Sequence, residues 1–312
     1  MKKINQSAIQ YIEVNDEHID RRIDNFLLNK LKGLPKSRLY LLLRKGEIRV
    51  NKKRIKPSYR LQMGDIIRIA PLYLSPKTKP AKPNKELLEK LAKRILYEDA
   101  DLLIINKPVG IAVHGGSGIR LGLIELLRIM RPKEPYLELV HRLDRNTSGC
   151  LVIAKKPSVL RKLHNLLREN KMQKIYIALT LGHWRKKINK VDIALRKNVL
   201  SSGERVIRAS DQGKAAFTEF KVVKDFSVAS LVEVKLHTGR THQIRVHAQI
   251  SGHPIAGDDK YGDRAFNRIM RDKGLRRMFL HAEKIAFTST SGKRISITAP
   301  LDNELSDVLK QL

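Results

Sequence analysis

A proline- and lysine-rich stretch divides this 312-residue chain into two parts of unequal size. Leu72 to Asn84 carries prolines at positions 76, 80 and 83, lysines between them, and little apolar periodicity. Such a composition is typical of a semi-extended linker, because proline continues neither a helix nor a central strand. We therefore predict two folded domains. The predicted parts are an N-terminal tail at 1–20, a small domain at 21–71, a linker at 72–90 and a larger domain at 91–312.

The charge of the chain restricts its partners. Lys and Arg number 63 against 31 Asp and Glu, which gives a formal net charge of +32. This excess favours a polyanionic partner, with nucleic acid the first interpretation and a membrane surface the second. No apolar run reaches the length of a spanning helix, and no signal-peptide core follows the first residues, so we expect a cytoplasmic protein. The single cysteine, Cys150, excludes an intramolecular disulfide and a cysteine-clustered zinc site, and its apolar neighbours predict a buried residue.

The small domain has the pattern of two short helices followed by short strands. Apolar residues recur at helical spacing from Ile23 to Leu31, and a second helix is predicted from Ser37 to Lys45, before Gly46. Basic residues cluster on this second helix and on the turn that follows it, and both a solvated face and a nucleic-acid contact surface fit them. The members of this basic cluster are Arg38, Arg44, Lys45, Arg49, Lys52, Lys53 and Arg54.

The larger domain contains a carboxylate between two arginines. Asp144 lies between Arg142 and Arg145 in a polar loop that ends at Gly149 and continues into an apolar, strand-like run. Flanking guanidinium groups favour the charged form of a carboxylate, and the adjacent strand gives the loop a rigid base. The pattern therefore fits an ionised, oriented acid. A surface Arg–Asp–Arg turn without chemistry fits the triplet as well.

Two further segments carry side chains that could act with this acid. Tyr176 lies in an apolar predicted strand, where a core or edge aromatic residue is the ordinary interpretation. Thr241, after a glycine turn, fits the N-cap of a short helix, which places Arg245 in its second turn. The spacing of His242 and His247 does not put them on one helical face, so we predict no metal site. The charge-rich segment 263–278 is predicted to be an exposed insertion.

The order of elements predicts an α+β fold. Strands outnumber the helices between them and do not alternate strictly with helices, which indicates a mixed, largely antiparallel sheet.

The motif His-Arg-Leu-Asp-Arg-x-Thr-Ser-Gly at 141–149 resembles the catalytic signature of the RluA family of RNA pseudouridine synthases. The resemblance implies that Asp144 is the essential catalytic residue. It also implies that Tyr176, two places after a lysine, stacks on the target base, and that Arg245, in Thr-Gly-Arg-Thr-His-Gln-Ile-Arg, pairs with Asp144. Arg142 is the candidate side chain for the space that a flipped base leaves. The expected catalytic fold is a long bent sheet crossed by an RNA-binding cleft.

Residues 21–71 resemble the S4 (α-L) RNA-binding module, whose second helix and hairpin contact RNA. This resemblance assigns RNA binding to the basic cluster of the small domain. Among members of the RluA family, the domain order and the His-Gly-Gly-Ser-Gly loop at 114–118 are most similar to bacterial enzymes acting on 23S ribosomal RNA. The implied partner is 23S rRNA or a pre-50S particle, and we expect a monomer that needs no cofactor. A non-catalytic, S4-type ribosome assembly factor is the alternative, although it leaves the three matching motifs unexplained.

Overall fold

A computed structural model of the chain describes residues 4–6, 8–31, 34–74, 83–115, 121–185, 187–199, 205–289 and 291–312. It divides into two compact units, Met1–Lys82 and Pro83–Leu312. Along the described residues, no helix is both long and apolar enough to cross a membrane.

The first unit packs two helices on a three-stranded antiparallel sheet. Its core is apolar and includes Phe26, Leu39 and Ile67, each with 1% or less of its surface exposed. The second helix ends at Gly46, whose φ of 75° is a left-handed cap that favours glycine. The strand order is β2-β4-β3, and β1 pairs with β5. The elements are β1 (Ile4–Gln6), β2 (Gln10–Glu13), α1 (Ile23–Lys30), α2 (Lys36–Lys45), β3 (Ile48–Val50), β4 (Ile66–Ile69) and β5 (Leu72–Leu74).

The second unit is built on one large mixed sheet. The strands of this unit are β6 (Ile95–Glu98), β7 (Leu102–Lys107), β8 (Glu138–Leu139), β9 (Ser148–Ala154), β10 (Gln173–Leu181), β11 (Ile188–Asp192), β12 (Leu195–Val199), β13 (Arg205–Ala209), β14 (Phe217–Asp225), β15 (Ala229–Leu236), β16 (Leu280–Thr288) and β17 (Arg294–Thr298). Its helices are α3 (Lys85–Ala92), α4 (Leu123–Met130), α5 (Pro157–Arg168), α6 (Gln243–Ile250), α7 (Arg264–Asp272) and α8 (Asn303–Lys310).

Nearly all neighbouring strands of this sheet are antiparallel. The order is β11-β14-β15-β10-β16-β9-β7-β6, with β17 on β16 and β8 on β9, and the pair β16–β9 is parallel. The prediction of a mixed, largely antiparallel sheet in an α+β fold is confirmed. Strands β12 and β13 form a separate two-stranded hairpin.

Both faces of the sheet are covered along β7 and β9. Along β7, Leu103 and Ile105 enter the core cluster that contains α4, whereas Leu102 and Ile104 enter the cluster that contains α5. This alternation follows from the two-residue period of a strand. Cys150 is 2% exposed on the α5 side, as its apolar neighbours predict. The loop before β9 therefore extends from a strand that is fixed on both faces.

The structure differs from the sequence prediction in the segment 263–278, which is not an exposed insertion. It contains the helix α7, whose Phe266 and Met270, four residues apart, are 1% and 0% exposed and pack into an apolar cluster. Arg277 is also buried and donates a hydrogen bond to the Ser148 hydroxyl at 2.6 Å. In the sequence of α7, exposed charged residues surround the two large buried ones, so the pattern does not indicate a buried helix face.

Three other boundaries also differ from the prediction. Strand β2, in the segment that we set apart as a tail, pairs with β4, and helix α3 begins within the predicted linker. The N-cap of α6 is His242 rather than Thr241. Residues 116–118 of the glycine loop and 75–82 of the linker lie outside the described residues.

Candidate active site

A cavity of about 610 Å³ lies where the Asp144 loop meets β10, the end of β15 and the start of α6. Asp144, Tyr176 and Arg245 all line it, although they come from three motifs that are far apart in the sequence. Arg142, at the exposed edge of the same loop, lines it as well. The structure thus brings together the three predicted catalytic residues and the predicted base-replacing arginine. The volume is within the range of pockets that bind small ligands, and a single nucleotide base, which is smaller than that, has room in it.

The loop that carries Asp144 is held from both ends. His141 accepts the backbone N–H of Val152 in β9 through its Nε2 atom at 3.2 Å. Burial lowers the pKa of His141 to about 4, so this imidazole is neutral and stays an acceptor at neutral pH. Downstream, the backbone N–H of Thr147 donates to the Asp144 carbonyl at 3.1 Å. The carboxylate is therefore presented from a fixed turn.

Lys107 supports the same loop from inside the protein. Its side chain is completely buried, and its Nζ donates to the carbonyl oxygens of Pro108 and Ile111 at 3.0 Å and of Arg145 at 3.3 Å. Lys107, in the sequence Asn106-Lys107-Pro108, thus ties the end of β7 to the residue after Asp144. Burial lowers the pKa of Lys107 to about 7, and the nearby charge of Arg277 acts in the same direction.

Gly149, where β9 begins, has no room for a side chain. Its φ is 111°, and a Cβ atom there would lie 2.2 Å from the carbonyl oxygen of Ala282 on the parallel neighbour β16. The glycine of the motif is therefore required by a close approach of two backbones.

Arg245 is oriented mainly by a residue that the sequence analysis did not assign. Its Nε and Nη2 atoms donate to the two carboxylate oxygens of Asp258, both at 2.7 Å, and its guanidinium lies 4.9 Å from the ring centre of Tyr261. The Asp258 side chain is 1% exposed. Burial opposes its ionisation, but the hydrogen bonds and charge of Arg245, with two backbone N–H groups, lower its pKa. A bidentate, buried pair of this kind fixes the plane of the guanidinium.

This plane leaves the third nitrogen of Arg245 directed at the catalytic candidate. Arg245 Nη1 lies 3.5 Å from Asp144 Oδ2. The Arg245 and Asp144 side chains are 11% and 20% exposed, so solvent screens their attraction only in part. The predicted pairing of Arg245 with Asp144 agrees with this geometry, and His242 is a further neighbour, with Nε2 at 3.7 Å from the same oxygen.

Tyr176 forms part of the cavity wall on β10 and is 6% exposed. Burial raises the pKa of Tyr176, and the charge of Asp144 raises it further, so the phenol keeps its proton at physiological pH. A buried, neutral phenol ring beside a carboxylate can stack on a base. Its hydroxyl can donate one hydrogen bond and accept another.

The basic cluster of the first unit lies on α2, β3 and the turn after β3. Six of its seven members, all except Arg49, are exposed. Arg49 is half-buried and donates to the carbonyl of Gly46 at 2.9 Å. Asn51 and Lys52 have φ values of 48° and 64°, which form the tight turn that the sequence predicts.

The buried ammonium of Lys107 gives a prediction about pH. An unfolded lysine holds its proton up to about pH 10.4, whereas the folded side chain releases it near pH 7. Between these values the unfolded chain binds more protons, so the stability contributed by this site rises with pH, by at most about 1.4 kcal/mol for each pH unit. We expect Lys107→Met to be less stable than wild type and to lack this rise. Denaturant midpoints of both proteins at pH 7.5 and 9.5 measure it, and parallel changes would contradict it.

Comparison with known sequences agrees with this geometry. A profile of the family described as RNA pseudouridylate synthase matches residues 101–249, and a profile of the S4 domain matches residues 21–67. Ribosomal large subunit pseudouridine synthase C of Pasteurella multocida (strain Pm70) is 52% identical over 313 residues, covering 100% of this chain and 96% of that protein. The chain belongs to the RNA pseudouridylate synthase family. The protein of the same name from Escherichia coli (strain K12) is 50% identical over 314 residues, covering 99% of this chain and 98% of that one.

A solved structure of the same family shares the fold. Human RNA Pseudouridylate Synthase Domain Containing 4 superposes with a TM-score of 0.59 and 27% identity, covering 72% of this chain and 95% of that chain. The large sheet and its cavity are thus the pseudouridylate synthase part of the chain.

Proposed function

We propose that this protein converts specific uridines of 23S ribosomal RNA to pseudouridine, with Asp144 as the catalytic carboxylate. The observation that carries the proposal is the meeting of Asp144, Tyr176 and Arg245 in one cavity. The relatives named ribosomal large subunit pseudouridine synthase C support the choice of large-subunit RNA. Asp144, Tyr176, Arg245 and Arg142 all come from one chain, so a monomer has the complete set of assigned residues. A ribosomal RNA substrate, naked or in a pre-50S particle, supports a cytoplasmic location.

The reaction breaks the bond between the sugar C1′ and N1 of uracil, turns the base, joins C1′ to C5 and releases the proton of C5, while N1 takes up a proton, so that the product is an isomer of uridine. A uridine in folded RNA must first leave its stack, and a protein can hold an extruded base against an aromatic ring. Tyr176 supplies this ring. Arg142, at the exposed edge of the catalytic loop, is in a position to enter the space that the base leaves.

Asp144 has to be ionised for either role that a carboxylate can take. As a nucleophile it would attack the sugar or the base, and as a general base it would remove a sugar proton. Arg245 Nη1, at 3.5 Å, orients the Asp144 carboxylate, because Asp258 fixes the rest of the guanidinium. Because the Tyr176 phenol keeps its own proton, it can assist the departure of the C5 proton only as a relay, accepting that proton while its hydroxyl hydrogen passes to another acceptor.

The first unit supplies affinity for RNA in this proposal. Each cation that contacts a phosphate releases counterions, and single-stranded contacts change the slope of log affinity against log salt by about 0.7 each. We expect Lys45→Gln with Lys53→Gln to reduce the magnitude of this slope by about 1.4, whereas Lys85→Gln with Lys93→Gln at the two ends of α3, which removes the same charge from another exposed surface, leaves it unchanged. Filter binding to 23S rRNA from 50 to 300 mM salt measures both, and equal slopes for the two double variants would contradict the assignment.

The function is tested with the purified full-length protein and 23S rRNA transcribed with uridine tritiated at C5. Release of tritium, with pseudouridine in the digested product, is the expected result, and 16S rRNA serves as the control substrate. Tight binding of 23S rRNA without release of tritium, from either the transcript or precursor particles, would favour a non-catalytic assembly factor.

A further inference from the structure

His242 adjoins the catalytic carboxylate in an unusual backbone conformation. Its φ and ψ are 54° and 19°, in the left-handed region that residues other than glycine seldom adopt. A residue held there needs strong support from its surroundings, and such residues are found preferentially at functional sites. The side chain places Nε2 at 3.7 Å from Asp144 Oδ2.

Tyr261 is the hydrogen-bond partner of the other ring nitrogen of His242. The Tyr261 oxygen accepts the backbone N–H of Ile207 in β13 at 3.0 Å and lies 2.9 Å from His242 Nδ1. Donation of the phenolic hydrogen to Nδ1 gives this buried hydroxyl an acceptor and makes Nδ1 the unprotonated nitrogen. The hydrogen of the neutral imidazole is then on Nε2, which faces Asp144.

The charge state of His242 agrees with this hydrogen position. Burial lowers the pKa of His242, and the guanidinium of Arg245 and the ammonium of Lys260 also lower it, against the opposite effect of Asp144 and Asp258. The imidazole is therefore neutral at neutral pH, with one N–H group.

We propose that His242 and Tyr261 are positioning residues for Asp144. The Tyr261 hydroxyl holds the His242 N–H toward the carboxylate. The Tyr261 ring, 4.9 Å from the Arg245 guanidinium, supports Arg245, which is the second neighbour of that carboxylate. The distance of 3.7 Å shortens to a hydrogen bond when RNA is bound, as contacts in unliganded sites commonly do. The inference rests on the proposed function, because the position of Asp144 matters only if that carboxylate reacts.

The first test uses Tyr261→Phe, which keeps the ring near Arg245 and removes the hydroxyl. In the protein labelled with ¹⁵N-histidine, and with His242 assigned by comparison with His242→Gln, we expect an unprotonated Nδ1 and a protonated Nε2. In Tyr261→Phe the two signals should move toward each other, and kcat should fall about tenfold with little change in KM. Tyr97→Phe is the control, since Tyr97 also loses a phenolic hydrogen bond, but to Asp99 rather than to a neighbour of Asp144. A wild-type His242 protonated on Nδ1, or a Tyr261→Phe variant with full kcat, would overturn the proposal.

The second test separates the side chain of His242 from its backbone. Asparagine adopts a positive φ more readily than glutamine, whereas the glutamine amide extends further and can replace the Nε2–H donor. We expect His242→Gln to keep at least several-fold more kcat than His242→Asn. The reverse order would show that the residue serves the backbone alone. The NMR measurement on the wild type does not require activity. An inactive wild-type protein would therefore overturn the proposed function, while the protonation of His242 would still show whether Tyr261 holds the His242 N–H toward Asp144.

Discussion

Asp144→Asn is expected to abolish pseudouridine formation, with a loss of about 10³-fold or more, while RNA affinity stays close to that of the wild type. An amide has neither the charge of a nucleophile nor the basicity of a proton acceptor, yet it preserves the shape of the side chain. The change removes one acidic charge from a chain with a net charge of +32, so it does not weaken attraction to RNA. Tritium release from C5-labelled RNA and filter binding measure the two properties on the same preparation.

Asp259→Asn is the matched control. Asp259 is exposed and is the residue next to Asp258, and its replacement removes the same charge without touching the cavity lining. It should have the activity of the wild type. Near wild-type tritium release by Asp144→Asn would remove the catalytic assignment, and equal losses in both variants would indicate that the general charge of this region matters instead.

Arg245→Met should nearly silence the enzyme and also destabilise it. Asp144 loses the cation at 3.5 Å, and Asp258 is left 1% exposed without its bidentate partner. Removing one member of a buried ion pair typically costs about 3–5 kcal/mol, because the remaining charge stays in a poorly solvated place. Denaturant unfolding and single-turnover tritium release measure the two effects.

A double variant separates stability from catalysis at this pair. Arg245→Met with Asp258→Asn buries no uncompensated charge, so it should regain much of the lost stability. It should stay inactive, because Asp144 still lacks its guanidinium neighbour. Recovery of activity together with stability would mean that Arg245 acts only through folding.

The sequence allowed the three cavity residues and most elements to be predicted, for different reasons. The two helices of the small domain were predictable because apolar residues recur at helical spacing and Gly46 marks the end of the second, and the observed α1 and α2 agree. Tyr176 and Arg245 were predictable only through their motifs. On physical grounds alone, Tyr176 has the pattern of an ordinary core aromatic residue, and 69 positions separate it from Arg245 in the sequence.

The partners of these residues were not predictable, because they depend on contacts between segments. The bidentate partner of Arg245 is Asp258, which lies in the turn at 257–262, and the resemblance to the family assigned no role to this turn. The turn Gly-Asp-Asp-Lys-Tyr-Gly was the available signal, since an acidic and an aromatic residue three positions apart can both reach one guanidinium. Similarly, Phe266 and Met270 alone decide that α7 is packed, and their surroundings in the sequence are strongly charged.

Mapping pseudouridines in 23S rRNA tests whether this chain makes pseudouridine in large-subunit RNA by means of Asp144. The strain for this test lacks the gene and carries either the wild-type or the Asp144→Asn protein. We expect particular pseudouridines to disappear in the deletion strain, to return with the wild-type protein and to stay absent with Asp144→Asn at equal protein levels. An unchanged set of pseudouridines in the deletion strain, or full restoration by Asp144→Asn, would contradict this expectation.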